Sequence, residues 1–141
     1  MISNLLFIRL CELQSLNDSI ISIYDALGRH ADEEGEKICS ERLDKRKKIK
    51  AELDETISKV RNGNKIWSIN MTYYLLCFTL RASRALEEHF YKKSWNRLLK
   101  YELKNLNLYY AALYTADAPK YIIDILIEQK NRVENYVVND L

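Results

Sequence analysis

Residues 2–27, ISNLLFIRLCELQSLNDSIISIYDAL, decide the fold. Leu6, Leu10, Leu13, Asn17, Ile20, Tyr24 and Leu27 follow one another at spacings of 4, 3, 4, 3, 4 and 3, the seam of a helix lying along a partner helix. Asn17 falls inside the seam, where an amide fixes register at some cost in stability. Gly28 is placed to cap the C-terminus. The same spacing returns in Cys39, Leu43, Arg46, Lys50, Leu53, Ile57 and Val60 of a second helix, which starts acidic, ends basic and stops at Gly63. The link between the two is so short that residues 1–63 are predicted to form an antiparallel helical hairpin. At about 1.5 Å per residue its arms are roughly 40 Å long. Because Arg46 and Lys50 interrupt the second seam, that arm is expected to stand partly open to solvent or to a partner.

Working outward, residues 64–141 are expected to form a three-helix core, with 1–141 as a single helical domain. The third helix, about 64–92, contains Met71–Leu80, eight apolar residues in ten, and is predicted to be covered nearly all round. This places Tyr74, Leu76, Cys77, Phe78 and Leu80 at the centre of the bundle. Ser94 is suited to cap a fourth helix, 95–115, with Trp95, Leu99, Leu103, Leu106, Tyr110 and Leu113 on one face. Asp117 is suited to cap a fifth, with Pro119 in its first turn and Ile122, Leu126, Val133 and Tyr136 as its stripe. The chain has 141 residues with only 3 Gly and 1 Pro, too few breakers for a turn-rich β-sandwich or a Gly-rich nucleotide loop. The fold class is therefore all-α: an up-down bundle of about five helices with a long N-terminal hairpin.

Composition narrows function less. The net charge is +2, which favours no class of partner. Cys11, Cys39 and Cys77 are an odd number without close spacing, as in buried thiols of a reducing compartment, so a cytoplasmic setting is expected. The most apolar run, Ile66–Leu80, is 15 residues and contains Asn70, whereas a membrane span needs about 18. His30 and His89 lack ligand-spaced companions, so no metal or cofactor is expected. Nucleophile elbows, Walker loops and CxxC pairs are absent, and the leading expectation is a protein that is not an enzyme.

Two features point to a protein partner. Asp32, Glu33, Glu34 and Glu36 gather at the hairpin tip, where they also suit a helix N-terminus. Ten Tyr is about twice the usual share, and Tyr109, Tyr110 and Tyr114, with Tyr121, surround one helix–helix corner. The reading is a cytosolic, non-catalytic protein-binding bundle of the immunity-protein or antitoxin kind, its partner a toxin domain. Homo-oligomerisation is left open.

Two alternatives compete. Arg84, His89 and Tyr91, in the spacing Arg-x4-His-x-Tyr, resemble the active motif of HEPN ribonucleases, small all-α toxins of bacterial defence systems. The resemblance implies that Arg84 and His89 act on an RNA phosphate and 2′-hydroxyl without metal. Arg can brace a phosphate and His can move protons near neutral pH. The sequence departs from that pattern at Ala85, where a polar residue usually follows the Arg. The second alternative is a nucleic-acid-binding regulator. Arg42, Lys45, Arg46, Lys47, Lys48 and Lys50 form a basic run, and Tyr91, Trp95 and Tyr101 are interleaved with a second one.

Overall fold

The computed structural model describes residues 3–63, 67–90, 93–115 and 118–140; the side chains of 67–70, 72, 88–90 and 138–140 lie outside that description. Five helices follow in order: α1 (Asn4–His30), α2 (Glu33–Gly63), α3 (Trp67–Phe90), α4 (Trp95–Leu113) and α5 (Lys120–Asp140). None of them is long and apolar enough to cross a membrane over the described residues.

The hairpin forms as its seams require. Ser3 Oγ accepts from the Leu6 N–H at 3.2 Å and starts α1. Across the pair, Gln14 Nε2 donates to Asp54 Oδ1 at 2.7 Å, Lys50 Nζ to Asp18 Oδ1 at 3.0 Å, and Asn17 Nδ2 to the Arg46 carbonyl at 3.1 Å. Gln14 faces Asp54 whereas Gly28, further along α1, faces Cys39, so the arms are antiparallel. Gly28 does not end α1, which continues to His30. Its bare Cα instead allows close crossing, since a Cβ there would meet the Cys39 Cβ at 3.2 Å. Gly35 serves the same purpose at the link, where a Cβ would stand 3.0 Å from both the Ala31 Cβ and an Asp32 oxygen.

The main core joins α1, α2, α4 and α5: Leu6, Phe7, Leu10 and Leu13 meet Ile49, Leu53, Ile57, Tyr109, Ile122, Leu126 and Val133. A smaller cluster of Leu16, Ile20, Ile23, Tyr24, Cys39 and Leu98 lies toward the hairpin tip. Between them sits Arg46, with 0% of its surface exposed. The expectation that the second arm opens to solvent at Arg46 is thus corrected. The guanidinium is covered because Glu102 and Asn105 of α4 are presented to it.

That requirement also turns α4. Its buried residues are Leu98, Glu102, Asn105, Tyr109 and Ala112, one position before the predicted leucine stripe throughout. Trp95, Leu103 and Tyr110 are consequently exposed. The Ser94 cap is present, its Oγ accepting from the Arg97 N–H at 3.2 Å. In α5 the stripe of Ile122, Leu126, Val133 and Tyr136 is buried as expected, and Pro119 gives its carbonyl to the first turn. Asp117 lies outside the described residues.

α3 is the largest correction. It packs chiefly along α1 and is not the centre of the bundle. Tyr73 and Leu76 rest on the main core, while Leu80 and Cys77 are half-buried. Tyr74 is 64% and Phe78 76% exposed. The apolar run reads as a core helix because its composition is apolar all round, yet among the described residues one side is packed and the other is exposed.

Candidate protein-binding site at the hairpin tip

The polar layer around Arg46 is the base of the site. Arg46 donates to Asn17 Oδ1 at 3.1 Å and to Asn105 Oδ1 at 2.8 Å, and forms an ion pair with Glu102. Tyr24 donates its hydroxyl to the other Glu102 oxygen at 2.9 Å. One carboxylate from α4 therefore ties both arms of the hairpin together. Burial first, then the adjacent Glu102 carboxylate, pushes the Tyr24 hydroxyl well above its ordinary range, so it stays a donor. The Tyr136 ring of α5 lies under the cations of Arg42 at 4.7 Å, Lys45 at 5.3 Å and Arg46 at 5.8 Å.

Above this layer opens a cleft of about 400 Å³, between the first turns of α2, the start of α4 and the end of α5. Ile38, Trp95, Leu99 and Val137 contribute apolar surface, Arg42 stands at one side, and Tyr24 and Glu102 reach it from the polar layer. Trp95 is 51% exposed, so its indole is divided between wall and solvent. An apolar depression with a few convergent polar groups can take a protruding side chain.

The tip carboxylates flank this cleft in the chain, since Gly35 and Ile38 both line it. Asp32 caps α2: the Gly35 N–H donates to its Oδ1 at 2.7 Å and the Glu36 N–H to its carbonyl at 2.8 Å. Glu33, Glu34 and Glu36 occupy the first turn, where the helix dipole favours them, and all four acids face solvent.

The tyrosine corner divides. Tyr109 is fully buried and donates to Gln129 Oε1 at 2.9 Å, so its expected place at an interface is corrected: it is core. Tyr110 is partly exposed and bonded to Glu134, and Tyr114 is 86% exposed. This corner lies at the far end of α4 from Trp95, about 27 Å away at the helical rise. The acidic tip and the tyrosine corner are therefore two separate places.

Of the ribonuclease triad, Arg84 is described: its guanidinium lies 3.8 Å from the Asp18 carboxylate, which Lys50 also reaches. The His89 side chain and all of Tyr91 lie outside the described residues. The basic run 42–50 is divided among a buried network, a tyrosine ring and the Asp18–Asp54 pair around Lys50. Only Lys47 and Lys48 of that run, beside the cation–π partner Lys45, are exposed.

The cleft escapes a reading of one helix at a time because α4 carries two stripes of equal spacing. Positions 98, 102, 105, 109 and 112 repeat 4, 3, 4, 3 as regularly as the leucines beside them. A buried Arg46 demanding a countercharge is the signal that selects the stripe with Glu102. Comparison adds nothing to this assignment: no family model matches the chain, and no curated protein or solved structure matches it.

Proposed function

We propose that this chain is a non-catalytic protein-binding bundle that works through its hairpin tip, in the manner of a toxin-neutralising immunity protein or antitoxin. The observation that carries the reading is the apolar cleft whose lining residues Gly35 and Ile38 lie next in the chain to Asp32, Glu33, Glu34 and Glu36. The partner would seat an apolar side chain against Trp95 and Ile38 and face the carboxylates with basic residues. Attraction at long range speeds encounter, and the anchored side chain slows release.

The test uses the product of the adjacent gene, co-expressed with this protein and then purified with it. Trp95→Ala is expected to weaken binding by about 2 kcal/mol, some 30-fold in Kd, as for a central aromatic anchor. Asp32→Asn with Glu33→Gln, Glu34→Gln and Glu36→Gln keeps the helix cap. It is expected to slow association and flatten its salt dependence while dissociation changes little. The ribonuclease alternative is read in parallel. Metal-independent cleavage of total RNA that disappears in His89→Ala would replace this proposal. Intact RNA with rescue from a toxic neighbour supports it.

A further inference from the structure

The outward side of α3 has the character of an interface, and its sequence says what fits it. Tyr73, Leu76 and Arg84 turn toward α1, as the Phe7–Tyr73 ring contact at 6.2 Å and the Arg84–Asp18 approach show. The opposite side presents Met71, Tyr74, Leu75, Phe78 and, further on, Leu86, all exposed. Together these side chains offer on the order of 600 Å² of apolar surface, at the upper end of what a typical monomer leaves bare. A standard interface buries about 800 Å² per partner. No Asp or Glu occurs between Trp67 and Leu86, so covering this face strips water from no carboxylate of α3.

The face is graded in size. Between Met71 and Ala85 its first half is bulky, with Met71, Tyr74 and Leu75, and its second half is small, with Ala82 and Ala85, both exposed, before Leu86 ends the face. A second copy turned end for end presents the complementary gradient. Antiparallel pairing about Phe78 sets Met71 on Ala85, Tyr74 on Ala82 and Phe78 on Phe78. Arg81 then lies opposite Leu75, with its stem along the leucine and its guanidinium within reach of the facing Tyr74 ring. We propose that α3 is a homodimer surface, two copies packing α3 against α3 antiparallel about a two-fold axis at Phe78. The proposal is independent of the hairpin-tip reading, because the contact it invokes is made by α3 residues and uses neither Trp95 nor the tip carboxylates.

Sedimentation equilibrium between 1 and 100 μM is the first measurement. The expected mass is twice 16.7 kDa at the upper concentrations. Phe78→Asp is expected to give a monomer, weakening self-association at least about 100-fold, with an unchanged far-UV spectrum because the residue is solvent-facing. Register is tested with single cysteines under mild oxidation. Phe78→Cys should form a covalent dimer, whereas Thr79→Cys, one position round the helix, should not exceed the native chain. A monomer at 100 μM would overturn the proposal, as would a dimer that survives Phe78→Asp or a Thr79→Cys cross-link that outruns Phe78→Cys. Co-sedimentation of a monomeric chain with phosphatidylcholine–phosphatidylglycerol vesicles, lost in Phe78→Asp, would assign the face to a membrane surface instead.

Discussion

Arg46 holds a permanent charge with none of its surface exposed, and Glu102 is what permits it. Removing one member of such a pair leaves the other buried and uncompensated, at a cost of about 3–5 kcal/mol. Arg46→Ala is expected to lose that much in urea unfolding. The double replacement Arg46→Met with Glu102→Leu is expected to recover most of the loss or exceed the native chain. Two donors, Arg46 Nε and Asn105 Nδ2, have no partner among the described residues, which adds to the cost of keeping the layer polar. Asn17 is legible in the sequence as a buried amide that sets register, because its place in the seam is local information. Arg46 is not, because the acid that neutralises it is 56 residues away. A basic residue in a seam then reads as a gap, when it is half of a bond.

The elements show the same division. The hairpin is legible because both seams lie within continuous helices and the link leaves no choice of direction. The rotation of α4 and the position of α3 depend on which side finds a neighbour, and composition does not carry that. Leu53 has no exposed surface, whereas Phe78 is 76% exposed. Leu53→Ala is therefore expected to cost about 2–5 kcal/mol, and Phe78→Ala no more than about 0.5 kcal/mol in the monomer. Urea unfolding at submicromolar concentration separates them. Equal losses would return α3 to the centre of the fold. At the candidate site, the acidic tip is legible as a run of charge, and the cleft beside it is not. Its lining comes from four helices, and Trp95 reads as core for as long as the leucine stripe is taken to face inward.

At the scale of the whole molecule the titrating groups of the interior act together. Burial, helped by the nearby Cys77, pushes the Cys11 thiol from 9.0 to about 12, and burial drives the Tyr24 and Tyr109 hydroxyls above 10.0. An unfolded chain releases these protons from about pH 9 and 10, while the folded chain retains them. The unfolded state then binds fewer protons, and stability falls as pH rises. The urea midpoint is expected to be level from about pH 7 to 8.5, to drop above 9 and to drop more steeply above 10. Cys11→Ala should shrink the earlier part of that decline, with the buried Cys39 thiol, also raised above 9.0, keeping the remainder, and leave the later part. A further consequence comes from α1, which touches α2, α3 and α4. It leaves the ribosome before all of them, and the hairpin is complete when residue 63 emerges. The α4-facing side of α1 then waits for some fifty more residues, roughly 3–10 seconds at usual elongation rates. For that interval the nascent chain carries an uncovered apolar flank. Slowing translation between Gly63 and Trp95 should therefore increase chaperone capture and aggregation of a chain whose finished form is unaffected.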